Sequence, residues 1–260
     1  MLKKLYNWAN SWVGTIIIVL LVIFFGAQSF IIPSGSMKNT LLIGDMLFVK
    51  KFSYGVPTPT IPWLELKILP DFNNNGHLIE GDKPKRGDIV VFRYPHDDKI
   101  HFVKRAVAIG GDIVAIKNKK LLLHLNEGDE YIRKNYKKDE YISYDNRLWL
   151  VNPYRKEFPG IHNDPQITKY TSPHTNLFDM NPIIVPNGEF FMLGDNRDHS
   201  HDSRFWGTVA YRYVVGKPWF IYLSFDDDKS IRWNRVFRNI DKLQKEKNSI
   251  KPTKHKDGIY

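Results

Sequence analysis

No charged side chain interrupts the chain between Lys4 and Lys38, and within that interval Trp12–Ile32 runs for 21 residues with Thr15, Gln28 and Ser29 as its only polar side chains. A helix of about 20 apolar residues spans the hydrocarbon core of a bilayer while satisfying its own backbone hydrogen bonds. The run predicts one transmembrane anchor over residues 12–32, preceded by a short N-terminal segment over residues 1–11. A removable targeting segment has a shorter apolar region of roughly 7–15 residues, closed by small ones. Gly26 and Ala27 approach that pattern, but the run continues through Phe30, Ile31 and Ile32. Charge does not orient the anchor. Lys3 and Lys4 flank one end and Lys38, Lys50 and Lys51 the other, which leaves the positive-inside count even.

Beyond the anchor the chain is ordinary for a globular protein, at 42% hydrophobic and 25% charged. Cysteine is absent, which excludes disulfide frameworks, thiol nucleophiles, thiolate zinc and iron–sulfur clusters. The net charge of +10 is uneven: from Lys229 to Lys256 ten Lys or Arg face only Asp241 and Glu246, so the tail carries +8. A basic tail of this kind binds anionic lipid or nucleic acid, or stays solvated. Within it Val236, Phe237, Ile240 and Leu243 fall at helical spacing, which predicts a short basic amphipathic helix.

The body reads as mainly β. Leu47–Val49, Asp88–Phe92, Phe102–Ile109, Ile113–Ile116, Leu121–Leu125, Glu189–Leu193 and Trp219–Leu223 are β-branched or aromatic runs. Gly44-Asp45, Arg86-Gly87-Asp88, Gly110-Gly111-Asp112 and Asn187-Gly188 punctuate them. The pattern predicts a barrel-like antiparallel core over residues 33–116 and 187–225, a polar, Tyr-rich insertion over 117–186, and a basic tail over 226–260. Residues 53–84, rich in Pro, Asn and Gly, read as a loop excursion.

Three segments are candidates for chemistry. Pro33-Ser34-Gly35-Ser36-Met37 follows the anchor directly; it is a turn, and Ser36 becomes a nucleophile only with a base beside it. The nine histidines offer no clear base. His199 and His201 lack a third metal ligand at a recognisable spacing, and Asp195, Asp198 and Asp202 lack the glycine and distal glutamate of a calcium loop, so no metal site and no cofactor is expected. Lys104 is the better base. In Phe102–Ala108, strand alternation sets Lys104 on the face of Phe102, Ala106 and Ala108, with Arg105 opposite. A lysine on an apolar face is driven toward its neutral amine by desolvation; the plainer alternative is a snorkelling edge-strand lysine. The third segment, Gly194–Gly207, alternates acids with arginines, as a self-paired loop would.

Together PSGSM followed by LLIGD, RGDIVVF, the KRAV run with its following GGD, and GDNRDHSHDSRFWG occur in one order. In that order they resemble the bacterial type I signal peptidases, membrane-anchored proteases with a serine–lysine dyad. The likeness is good over residues 33–51, 86–113 and 188–218 and weak over 53–84 and 117–186. It implies a signal-peptidase β core with an inserted β-rich subdomain, Ser36 as nucleophile and Lys104 as general base. It further implies that Ser200 orients the lysine, that Ser34 and the Ser36 amide form the oxyanion hole, and that Asp202 and Arg204, with Asp195 and Arg197 in the same loop, support the site. Met37, Leu41, Phe102 and Val103 take the places that line the substrate cleft. The implied reaction removes N-terminal signal peptides after small, A-x-A-like residues. The implied partners are precursor signal peptides, the phospholipid bilayer and a nearby export translocon, without nucleic acid. The implied location is the cytoplasmic membrane, single-pass, with the catalytic domain outside the cytoplasm.

Two positions depart from the family pattern. Asn39 and Gly110 stand where proline is usual, and the missing rings predict a looser chain at both places. Three other readings compete: a self-cleaving serine–lysine protein of the SOS-repressor kind, a pilin-maturation peptidase of the same fold, and an anchored β-domain that binds through its tail. Deleting residues 229–260 is expected to disable the last and spare a peptidase.

Overall fold

The structure is a computed structural model, and it describes residues 2–21, 26–59, 69–71, 75–170, 172 and 174–246. The apolar N-terminal run does not form one helix. Helix α1 (Leu2–Ala9) turns at Asn10-Ser11 into α2 (Trp12–Leu21), and Ser11 Oγ accepts from the Gly14 amide at 3.1 Å as the second helix starts. Residues 22–25 lie outside the described residues, and Ala27–Ile31 is a strand, β1. Among the described residues no helix is long and apolar enough to cross a membrane. The expected helix over 12–32 is corrected at its C-terminal end for a physical reason. The backbone of 27–31 finds its partners in β2 (Asp45–Lys50), in register from Ala27 opposite Lys50 to Ile31 opposite Met46, and Ser29 Oγ reaches the Tyr222 hydroxyl at 2.8 Å.

The remaining strands in chain order are β3 (Gly55–Pro57), β4 (His77–Glu80), β5 (Ile89–Tyr94), β6 (Asp97–Ile109), β7 (Ile113–Lys117), β8 (Lys120–His124), β9 (Tyr141–Tyr144), β10 (Arg147–Val151), β11 (Asp179–Ile184), β12 (Glu189–Leu193), β13 (Val209–Ala210), β14 (Val214–Ser224) and β15 (Arg238–Asn239). Among the described residues three short helices accompany them: α3 (Gly128–Asn135), α4 (Ser203–Trp206) and α5 (Ile240–Leu243). One antiparallel sheet runs β1-β2-β14-β5-β6-β12-β13, with β15 on β14. Strand β14 serves two neighbours in turn: Val214 and Gly216 pair with β5, and Lys217–Ser224 with β2. Register shifts along it bend the sheet over its own apolar face, as bulges do. A second antiparallel sheet runs β11-β7-β8-β10-β9, and β3 pairs with β4. The fold is mainly β and antiparallel, and each of the seven runs read from sequence centres on a strand.

Met37, Leu41, Leu47, Val49, Ile89, Val91, Val215 and Ile221 fill one core under the first sheet, and Val107, Val114, Leu121, Leu123, Leu150 and Leu193 fill another where the two sheets meet. The strict alternation expected along β6 fails at one point. A bulge between β12 and β6 at Met192/Phe191 puts Ala108 with Val107 in the second core, while Ala106 stays with Phe92 and Phe190.

The stretch 126–186 holds α3, β9, β10 and β11, with Leu148, Trp149 and Leu150 of β10 buried in an otherwise polar segment. At the C-terminal end the expected amphipathic helix shrinks to the single turn of α5, because Arg238–Asn239 pairs with β14. Ile240 and Leu243 join the first core, and Arg235 is buried with Asp45 through two hydrogen bonds of 2.9 and 2.6 Å. Up to residue 246 this tail is part of the folded body.

Candidate active site

Ser36 sits in a single 3-10 turn, Gly35–Met37, between β1 and β2. Lys38 (φ −48°, ψ 145°) and Asn39 (φ 76°) complete a type II turn closed by the Thr40 amide on the Met37 carbonyl at 2.9 Å. That φ lies outside the range of a proline ring, so asparagine here is what the backbone requires. Asn39 Nδ2 also lies 3.0 Å from His162 Nδ1. The expected loosening is replaced by a different way of fixing the turn.

Strand β6 brings Lys104 to this turn. Lys104 Nζ is 2.6 Å from Ser36 Oγ, in a site where Ser36 is 9% and Lys104 4% exposed. Burial is the main influence on the amine and lowers its pKa from 10.5 to about 8. The carboxylates of Asp202 and Asp195 work against that shift, and the Arg204 guanidinium works with it. Among the described residues Lys104 forms no ion pair within 4 Å, and the Phe102 ring centroid lies 5.1 Å from its nitrogen. Ser34 Oγ, exposed, is 3.4 Å from Ser36 Oγ.

The loop that leaves β12 holds the turn from behind. The Asn196 amide donates to the Ser36 carbonyl and Asn196 Nδ2 to the Gly35 carbonyl, both at 3.1 Å. The Asp195 carboxylate accepts from Thr40 Oγ1 at 2.6 Å and from Arg105 Nε and Nη2 at 2.8 and 2.7 Å. Burial pushes this carboxyl up, but the Arg105 charge and these hydrogen bonds outweigh it and leave the pKa below the usual range. Asp202 is treated alike: burial raises it, and the Arg204 guanidinium at 2.8 Å with the Gly194 amide at 3.0 Å brings it below. Ser200 is buried, so close to the Ser36 carbonyl that a Cβ on Gly194 would collide with both, and its hydroxyl helps to hold the Asp202 carboxyl down.

The predicted residues therefore separate by position. Ser36, Lys104 and Ser34 converge. Asp195, Asp202 and Arg204 stand behind them as paired charges. Met37 and Leu41, at 1% and 0% exposure, are packed into the first core beneath the turn, with Val103 against them; Met37 Sδ accepts from the Asp195 amide at 3.4 Å. Phe102 joins Tyr94 and Trp206 in an aromatic group, with centroids 5.0 and 6.4 Å away. His199 and His201 diverge, His199 Nε2 to Asp164 at 2.9 Å and His201 onto the Phe205 ring.

Sequence reasoning missed Arg105, Thr40, Asn196 and the 158–162 loop, whose Gly160 lies so close to Asn39 and Thr40 that a Cβ would collide with them. The Lys104-Arg105 pair, buried on opposite faces, was the available signal for Arg105. Nothing local marks residues 158–162, because their role depends on a contact across the fold.

A family model described as signal peptidase, peptidase S26, matches residues 5–223. Signal peptidase I of Helicobacter pylori (strain ATCC 700392 / 26695) is 47% identical over 278 residues, covering 94% of this chain and 96% of the relative. Signal peptidase I of Pseudomonas fluorescens is 33% identical over 235 residues (86% and 75%), and that of Buchnera aphidicola subsp. Acyrthosiphon pisum (strain APS) 32% over 253 residues (84% and 76%). With this match across most of its length, the chain belongs to the signal peptidase I family of peptidase S26, serine endopeptidases that remove signal peptides.

Proposed function

We propose that Ser36 and Lys104 are the nucleophile and general base of this peptidase, and that it cuts precursors after small residues at a membrane surface. The observation that carries the reading is the 2.6 Å approach of Lys104 Nζ to Ser36 Oγ in a buried site that lowers the lysine pKa to about 8. The uncharged amine accepts the Ser36 proton as Oγ bonds to the scissile carbonyl carbon. The oxyanion is stabilised by the Ser34 hydroxyl and the Ser36 amide, a contribution of a few kcal/mol for a donor of this kind. The ammonium then returns the proton to the leaving amine as the C–N bond breaks. Water, deprotonated by the same amine, hydrolyses the acyl-enzyme. An extended substrate with small, A-x-A-like side chains docks beside a strand edge, and Ser200 and Asp202 keep the amine aimed.

Membrane attachment rests on α2 and the residues following it. Trp12 is 88% exposed, and Val13 and Ile16 are also exposed apolar side chains, a surface that a bilayer covers. Ser36 follows the end of α2 at Leu21 by 15 residues, at most about 54 Å along an extended chain, so a membrane-attached α2 keeps the site within reach of the lipid surface; the side taken is outside the cytoplasm, near the translocon. There enzyme and precursor share a plane, which raises their effective concentration. The test is cleavage of a secretory precursor by the detergent-solubilised full chain, with the new N-terminus sequenced. Ser36→Ala and Lys104→Ala are each expected to lower kcat by about 10⁴-fold or more with the fold retained. Near-normal turnover by folded Lys104→Ala would remove lysine as the base.

A further inference from the structure

The match to the family model ends at residue 223, yet the chain beyond it returns to the active-site charges. After β15, α5 carries Gln244 into the interior, 7% exposed, where its Oε1 accepts from Arg105 Nη1 at 2.8 Å. The second acceptor of Nη1 is the Gly87 carbonyl at 2.6 Å. The Phe158 ring lies under the guanidinium with 3.9 Å from its carbon to the ring centroid. Arg105 is thus held on one edge by Gln244 and Gly87 and on the other by Asp195. Asp195 in turn binds Thr40, and its neighbour Asn196 binds the Gly35 and Ser36 carbonyls. Gln244 is itself oriented, since its amide caps α5 on the Ile240 carbonyl at 3.0 Å and Nε2 reaches Asp241 Oδ1 at 3.4 Å. Lys245 pairs with Glu157 at 2.9 Å beside Phe158, which docks this turn of helix to the 154–163 loop.

We propose that Gln244 is a positioning residue for cleavage: through Arg105 and Asp195 it holds the Ser36 turn at hydrogen-bonding distance from Lys104. The inference rests on the assignment of Ser36 and Lys104 made above. A buried guanidinium whose acceptor is withdrawn keeps its charge and turns toward another partner, and a shift well under an ångström at the nucleophile is enough to slow the chemical step. Gln244 touches no reacting atom, so its removal acts on kcat and leaves substrate binding alone.

The test compares Gln244→Met, which keeps length and apolar packing, with Gln244→Glu, which keeps an acceptor for Arg105, in steady-state cleavage by the full chain. Gln244→Met is expected to lower kcat about tenfold at unchanged KM and thermal midpoint, and Gln244→Glu to stay within about twofold of the parent. If Gln244→Met does not fold, Gln244→Asn withdraws the acceptor by one methylene and is read by the same split. Chains ending at Glu246 and at Leu243 should behave as parent and as Gln244→Met. Combined with Thr40→Val, which loosens the other side of Asp195, Gln244→Met should cost less than the product of the two single effects. The proposal is overturned if kcat of Gln244→Met stays within about twofold of the parent, if Gln244→Glu is as slow as Gln244→Met, or if the Thr40 and Gln244 effects multiply independently. Ser36→Ala, scored alongside, separates failure of the dyad from failure of this relay: activity in Ser36→Ala sinks the former whatever Gln244 does.

Discussion

Lys104 and Arg105 are adjacent on β6, both buried, and the two faces of the strand treat their cations in opposite ways. The Arg105 face supplies a bidentate carboxylate, a backbone carbonyl, a side-chain amide and an aromatic ring. The Lys104 face supplies one serine hydroxyl within hydrogen-bonding distance. A buried charge that is fully paired ties the structure together, whereas a buried ammonium left to a neutral partner gives up its proton more readily. One strand thereby carries a clamp on one side and, on the proposed assignment, the general base on the other.

Substitutions that swap or remove these conditions test the contrast. Arg105→Met should cost the most, about 3–5 kcal/mol in urea unfolding, because it leaves the Asp195 carboxylate buried without its cation. Lys104→Met should act in the opposite direction. The folded pKa of about 8 lies below the unfolded 10.5, so the folded state binds fewer protons between those values. The parent's stability then rises with pH across that window, and the penalty of a charged buried lysine is in force below it. The inactive Lys104→Met is expected to gain up to about 3 kcal/mol at pH 7, a gain that fades between pH 8 and 10.5. A stability difference that does not change with pH would mean that Lys104 is not desolvated.

The same protonation equilibrium governs rate. In the parent, kcat/KM should fall about tenfold for each pH unit below 8, since the neutral amine is the active form; a flat acid limb breaks the contrast between the two faces. Asn39→Pro tests the nucleophile turn: with φ 76° out of reach, it should lose about 1–3 kcal/mol of stability together with kcat, and Asn39→Gly far less. The smallest effect belongs to the second sheet, where Lys169 and Asp179 pair at the surface, both about half exposed. Lys169→Ala should change stability by less than about 0.5 kcal/mol, and a larger loss would blur the line between buried and exposed pairs.

Most strands were legible because β-branched and aromatic runs bounded by glycine turns are local signals. The strands β9, β10 and β11 were not: Pro182 breaks β11, and the short apolar runs Tyr141–Tyr144 and Arg147–Val151 sit in an otherwise polar stretch and gain their place by pairing with each other and with β8. The apolar run at the N-terminus misled in part. Hydropathy alone does not distinguish a membrane helix from a helix followed by an edge strand, and Ala27–Ile31 took the strand because β2 offered its backbone a partner. The deletion of 229–260, considered as a neutral test of a peptidase, removes Arg235 from Asp45 and Gln244 from Arg105, so a cut after Glu246 is the informative one.

The order of residues along the chain determined the family and with it the reaction class: PSGSM, the KRAV run and GDNRDHSHDSRFWG carry the resemblance together, where each segment alone leaves a plainer reading open. Their assembly was decided in three dimensions. Whether Lys104 meets Ser36, which of two neighbouring cations is left without a counter-ion and where a distant glutamine ends up all depend on burial and distance, which arise only when separate strands share one interior.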